Sequence, residues 1–274
     1  MNVLLTGANG YLGQGVVKAL LDNNVNVIAT DFATNNIDKR AKLIKADIFS
    51  DEVEKLFREK IDAVLHMAWR DGFVHNSEAH IIDLPKHYEF IKKCLDNGIK
   101  KISVMGSMHE IGFYEGSIDE FTPCNPMSLY GISKNALRNM TELLCKSNGS
   151  DFQWLRGYYI VGNSEYGSSI FSKITAAVKE GKKKFPFTSG QNQFDFIDYD
   201  RFCLQVASAV SQFEINGIIN ICSGKPEKLA DRVERFIKEN KYDIQLDYGK
   251  YPDRPYDSKA VWGNSNKIDK IMKK

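Results

Sequence analysis

Short apolar runs and longer amphipathic stretches alternate along the chain from its second residue onward. The runs near 2–6, 25–30, 43–46, 61–67, 101–105 and 151–157 are rich in Val, Ile and Leu and too short for buried helices. Between them, apolar residues recur at helical spacing near 11–23, 50–58, 79–97 and 127–147, then again near 168–181, 199–212 and 228–240. Strands separated by helices of this length cannot pair as hairpins. The pattern therefore predicts an α/β fold, with a parallel sheet covered by helices on both faces. Asn97-Gly98 stops a helix ahead of the strand at 101–105, and Pro85 is expected to kink or restart the helix around it. After about residue 163 the alternation loosens. Residues 162–167 read as a loop, 185–192 are rich in Gly, Ser, Pro and aromatic residues, and a last strand at 217–222 ends in Ser223-Gly224.

Composition narrows the classes. A chain of 274 residues exceeds a usual single domain, yet α/β folds of this size commonly form one continuous unit. Its 37 basic and 35 acidic residues leave a net charge of +2, which points to neither nucleic acid nor a membrane surface. The basic run Lys182, Lys183, Lys184 reads as a solvated helix end. Five scattered cysteines without C-x-x-C spacing imply no metal site and no disulfide framework. No apolar run approaches the ~18 residues of a transmembrane helix, and the first strand coincides with the chain start, so a cytoplasmic protein is expected.

Two motifs carry chemistry. The first strand ends at once in Thr6-Gly7-Ala8-Asn9-Gly10-Tyr11-Leu12-Gly13. Glycines at this spacing, between a strand and a helix, allow the backbone a sharp turn and a close approach to a pyrophosphate at the helix N-terminus. Asp31 ends the second strand about twenty residues on, where an acid suits the hydroxyls of an adenosine ribose and repels a 2′-phosphate. This favours NAD; Lys39 and Arg40 follow and keep NADP as an alternative. In the second motif, Tyr130 and Lys134 stand at i and i+4 and share a helix face. A cation beside a phenol is expected to lower its pKa from ~10 toward useful acid–base work.

Together with Asp47-Ile48, His66-Met67-Ala68 and Ser107, these motifs resemble an extended short-chain dehydrogenase/reductase, and more narrowly the NAD-dependent epimerase/dehydratase branch acting on nucleotide sugars. The resemblance spans nearly the whole chain and is strongest over 1–162. It implies a Rossmann-type, doubly wound parallel sheet. Residues 1–162, completed by segments near 194–222, would bind NAD(P). Segments 163–193 and 223–274 would form a small C-terminal substrate-binding lobe. Gly7, Asn9, Gly10, Tyr11, Leu12, Gly13, Asp31, Asp47, Ile48, Met67, Ala68, Tyr130 and Lys134 would line the cofactor, and Ser107, Tyr130 and Lys134 would perform hydride and proton transfer. A homodimer is one arrangement common in the family. Leu137, Met140, Leu143 and Leu144 offer an apolar stripe for it, although the same stripe would serve packing on the sheet.

The neighbours of Ser107 discriminate among reactions. Sugar 4,6-dehydratases of the family carry Asp-Glu where this chain has Met108 and His109, and methionine is neither acid nor base, so dehydration is disfavoured. His109 occupies the slot of a catalytic cysteine in GDP-fucose synthases. It is a candidate acid/base or a hydrogen-bond donor to the sugar. Glu110 is expected to point away. Tyr159, Phe194 and Asp83 replace the asparagine, arginine and asparagine usual in the family, whereas Arg254-Pro-Tyr-Asp257 resembles a late segment whose arginine clamps the substrate diphosphate. The reading is an NAD(P)-dependent reductase of a nucleotide-linked 4-keto-6-deoxyhexose. Its rivals are a 4-epimerase with tightly held NAD and a non-catalytic dinucleotide-binding regulator.

Overall fold

The computed structural model describes residues 1–162, 169–253 and 258–273. Along the chain run β1 (Asn2–Thr6), β2 (Asn26–Asp31), β3 (Lys42–Lys45), β4 (Ala63–His66), β5 (Lys101–Ser107), β6 (Gly116–Ile118), β7 (Asp151–Gly157), β8 (Tyr159–Val161), β9 (Lys184–Pro186), β10 (Gln193–Asp198), β11 (Gly217–Ile221), β12 (Pro226–Lys228), β13 (Gln245–Asp247) and β14 (Ala260–Gly263). The helices are α1 (Tyr11–Asp22), α2 (Ala79–Asp96), α3 (Leu129–Asn148), α4 (Ile170–Lys179), α5 (Tyr199–Val210), α6 (Leu229–Glu239) and α7 (Asn266–Met272).

Among the described residues the main sheet has seven strands in the order β11-β7-β5-β4-β1-β2-β3, and every neighbouring pair is parallel. Both faces are covered. Val3, Leu5, Val16, Leu20, Phe202 and Val206 share one core with α1 and α5, and Leu4, Val64, Phe90, Ile91, Leu137 and Trp154 share the other with α2 and α3. Strand order reverses between β1 and β4, and such a switch point opens a ligand crevice at the carboxyl ends of the strands.

The expected strands and helices of the first half fall within a few residues of those observed. The segment expected as a helix at 50–58 is a 3₁₀ run, Asp51–Arg58, capped by the Ser50 side chain. Helix α2 passes through Pro85 without restarting. The ring leaves the Ile81 carbonyl without its helical donor, and Ile81 is on the exposed flank, where water can substitute. The second half holds an unexpected small sheet, β12-β10-β14-β6, with β8 also on β10. A third core, including Val161, Phe171, Phe187, Val233 and Phe236, lies beside it. Asp195 staples this region, its buried carboxylate accepting from the amides of Ser223, Gly224 and Gly263 and from the Ser223 hydroxyl. Lys182 and Lys183 are exposed and paired with Glu180 and Asp243, as a solvated run requires.

Candidate active site

The glycine turn lies at the switch point. Gly10 precedes α1 without any side-chain cap, so no side chain claims the first amides of the helix, as a helix N-terminus that takes an anion requires. At Gly13 a Cβ would lie 2.1 Å from the Gly7 carbonyl, so the turn cannot close with any larger residue. Thr6 Oγ1 receives the amides of Met67 and Ala68 at 3.2 and 3.3 Å, joining the ends of β1 and β4. Asp31 fixes the loop, accepting from the Asn9 amide at 2.9 Å and the Phe32 amide at 2.7 Å. Its carbonyl receives the Ala46 amide, which brings Asp47 alongside, while Ile48 is buried in the core. Tyr11 packs its ring against Tyr199 at 4.5 Å, tilted by 34°, and Leu12 packs against the core. Arg40 is committed elsewhere, bonded to Asp38 and Asp22. The residues fit a dinucleotide whose ribose carries free hydroxyls.

The second cluster lies one strand over. Ser107 is the last residue of β5, and its hydroxyl caps a 3₁₀ turn of Met108, His109 and Glu110. Helix α3 abuts that turn because residue 131 is glycine: a Cβ there would lie 2.4 Å from the His109 carbonyl. Its N-terminus is capped three ways. Ser128 accepts from the Gly131 amide, the His75 carbonyl from Tyr130, and the Asn76 side chain from Leu129. The result brings Ser107 close enough to the Tyr130 hydroxyl to ease its ionisation, and sets Lys134 Nζ 2.8 Å from the Met105 carbonyl and 5.8 Å from the Tyr130 ring centroid.

The electrostatics differ from the sequence expectation. Burial pushes the Tyr130 phenol up to about 12, with the Ser107 hydrogen bond pulling the other way. Burial also pushes Lys134 down to about 7, opposed by the Glu110 carboxylate. A low-dielectric site penalises both charged forms, an effect that residue spacing does not reveal. At neutral pH Tyr130 therefore holds its proton.

His109 joins the cluster, its ring 6.1 Å from Tyr130 and 4.5 Å from His75. Burial pushes it down to about 4, with the nearby His75 adding to the shift, so it is a neutral hydrogen-bonding group near pH 7. Glu110 makes its hydrogen bonds on the far side of the turn, although its charge still reaches Tyr130 and Lys134. It is fully buried and accepts from Arg156 Nε at 2.6 Å and Trp154 Nε1 at 2.7 Å. Asp83 is tied to Arg70 and Lys86. Tyr159 and Phe194 meet as a tilted ring pair at 4.7 Å, so two departures from the family pattern form one aromatic pair. Arg254 lies outside the described residues. Of the proposed dimer stripe, Leu137 is buried, Met140 and Leu144 pack against the core, and Leu143 is exposed.

Residues overlooked in the sequence complete the surroundings. All five histidines fall between residues 66 and 109, and all five lie around this site. His75 is stacked on Tyr130 at 5.5 Å and 10°, His80 meets it at 5.3 Å, and Trp69 meets it edge-on at 6.0 Å. The crowding of histidines into one stretch was the available signal.

A parallel sheet with a glycine cradle at its switch point and a Ser, Tyr, Lys cluster at the next strand's carboxyl end defines an NAD-dependent enzyme of the short-chain dehydrogenase type. The NAD dependent epimerase/dehydratase family matches residues 3–222, and the chain belongs to that family. A dTDP-6-deoxy-L-talose 4-dehydrogenase (NAD(+)) from Aggregatibacter actinomycetemcomitans is 42% identical over 269 residues, covering 96% of this chain and 99% of the relative. Among solved structures, a UDP-N-acetylglucosamine 4-epimerase from Methanobrevibacter ruminantium, in complex with UDP-N-acetylmuramic acid, superposes with a TM-score of 0.83 at 23% identity, covering 98% of this chain and 91% of that one. A UDP-glucose 4-epimerase from Thermus thermophilus, in complex with NAD, gives 0.82 at 19% identity, covering 99% and 93%. At these identities the two structures speak for the fold alone.

Proposed function

We propose that the protein interconverts a C4 hydroxyl and a C4 ketone on a 6-deoxyhexose carried by a nucleoside diphosphate. The observation that carries this is the clustering of Ser107, Tyr130 and Lys134 at the sheet's carboxyl edge, in a chain 42% identical to a nucleotide-sugar 4-dehydrogenase. NAD supplies or accepts the hydride at C4.

In the reducing direction Tyr130 gives its proton to the C4 oxygen. Ser107 donates a hydrogen bond to that oxygen and shares its developing charge. Lys134 supplies the nearby positive charge and a donor toward the nicotinamide ribose, and the proton lost by Tyr130 is restored from solvent past it. In the oxidising direction the same groups run in reverse, with Tyr130 as base. His109, neutral and beside Tyr130, orients the sugar. The glycine turn and the first amides of α1 bind the pyrophosphate. Asp31 accepts from the adenosine ribose, Asp47 and Ile48 border the adenine, and Met67 and Ala68 line the path between. Residues 1–162 with 194–222 form the cofactor part, and 163–193 with 223–274 form the substrate lobe, where Arg254 is assigned the diphosphate from its motif. No described helix is long and apolar enough to cross a membrane, and we assign the enzyme to the cytoplasm. A homodimer through the outer faces of α2 and α3, which expose Ile81, Ile82, Ile132 and Leu143, is part of the same reading.

The test is turnover of external NADH with dTDP- and UDP-linked 4-keto-6-deoxyhexoses. One NADH should be consumed per sugar reduced. Sugar interconversion without net cofactor consumption would make the enzyme an epimerase, and no turnover of any such sugar would overturn the assignment.

A further inference from the structure

Trp69 follows directly on Met67 and Ala68, and its indole is fixed by three partners. His87 stacks on it at 4.5 Å and 11°, its Nε1–H donates to His80 Nδ1 at 3.1 Å, and its edge meets the Tyr130 ring. Each histidine is itself held. His80 Nδ1 accepts from Trp69, so its Nε2–H donates to the Val74 carbonyl at 3.0 Å. Thr6 Oγ1 already accepts two amides, which leaves its own hydrogen for His66 Nδ1 at 2.8 Å. His66 Nε2–H then donates to His87 Nδ1 at 2.8 Å. A directed chain thus runs from the end of β1, through β4, to the residue that backs the indole.

The same indole carries the Lys134 ammonium, with Nζ 3.7 Å from the ring centroid. Burial brings Lys134 to about 7, where small forces decide its charge. The groups facing it are Glu110 after β5, His66 from β4, His87 from α2, and Tyr130 from its own helix. His66 and His87 are kept uncharged by burial. Glu110 is the facing anion, and it is already committed to Arg156 and Trp154. The Met105 carbonyl takes one N–H of the ammonium. Of the two aromatic faces near it, the indole at 3.7 Å is much closer than the Tyr130 ring at 5.8 Å, and a desolvated cation over tryptophan is held more firmly than over any other aromatic ring.

We propose that Trp69 is a positioning residue for the reaction: its ring, braced by the histidine chain, keeps Lys134 charged and aimed beside Tyr130. This rests on the proposed function only for which sugar Lys134 serves. The charge itself is measurable without substrate.

The experiment is a pH titration of the intact protein labelled with carbon-13 at lysine Cε. The Lys134 resonance is identified by its absence from Lys134→Met. Lys101 is an internal control, because burial brings it to about 7 as well, while its ammonium caps α5 through the Ala209, Val210 and Gln212 carbonyls. Trp69→Leu should lower the Lys134 titration by ~1 pH unit, and Trp69→Phe, with a weaker π face, by roughly half as much. Lys101 should not move. In the reductase assay, the alkaline limb of kcat should move the same way. Lys134 titrating unchanged in either variant, or Lys101 shifting as far as Lys134, would overturn the proposal. Should Trp69→Leu fail to fold, Trp69→Phe decides alone.

Discussion

Tyr130→Phe removes one oxygen and leaves a ring of the same shape. The contacts of that ring with His75, His80, His109 and Trp69 all survive. What is lost is the polar interaction with nearby Ser107, worth at most about 1 kcal/mol, so the variant should fold and unfold within a few degrees of the parent. The chemical loss is larger. Burial holds the phenol at about 12, so at neutral pH wild-type Tyr130 is protonated and ready to act as an acid. Phenylalanine has no proton, and His109 is too weakly basic to be charged in its place. Loss of a general acid costs a factor of ~10² to 10⁴, about 3 to 5 kcal/mol of barrier. The assay is kcat from NADH absorbance with a 4-keto sugar, beside NADH affinity from quenching of tryptophan fluorescence. Affinity should hold while kcat collapses. A variant keeping more than about a third of the rate would remove Tyr130 from the proton path.

Asp31 bonded into the loop, with Arg40 tied to Asp38 and Asp22, predicts at least a ~10-fold preference in kcat/KM for NAD(H) over NADP(H); a preference the other way would refute it. His109, held neutral down to about pH 4, predicts that His109→Asn costs less than ~10-fold in kcat and leaves its pH dependence unchanged between pH 5 and 8; deuterium incorporation at C3 or C5 from heavy water would contradict this and indicate epimerisation. Glu110→Gln leaves Arg156 buried and uncompensated, so it should destabilise the fold by ~3 to 5 kcal/mol in chemical denaturation, and pairing it with Arg156→Met should recover part of that; no loss in the single variant would show that the ion pair is immaterial.

The glycine turn, Asp31 and the Tyr130 and Lys134 pair were legible because each is a local spacing on one strand-to-helix unit, and a parallel α/β sheet repeats that unit. The small sheet was not, because β6, β12 and β14 are three or four residues long and find their partners across the chain. Strands so short show no alternation. The charge states of Tyr130 and Lys134 were also hidden, since they depend on burial in the folded chain, which spacing along one helix does not show. His66 was legible only as a strand end. Its bond to His87 joins residues 21 apart in sequence, and no motif announces it. The contact of Tyr159 with Phe194 likewise shows only once β8 pairs with β10.

The most direct test of the central claim follows one hydrogen. The enzyme is given NADH carrying deuterium at the transferable nicotinamide position and a nucleoside diphosphate 4-keto-6-deoxyhexose, and the product sugar is read by NMR. One deuterium should appear at C4 for each NADH oxidised, none at C3 or C5, and the transfer should be lost in Tyr130→Phe. A product with protium at C4, or sugar interconverted while the external NADH stays intact, would contradict it.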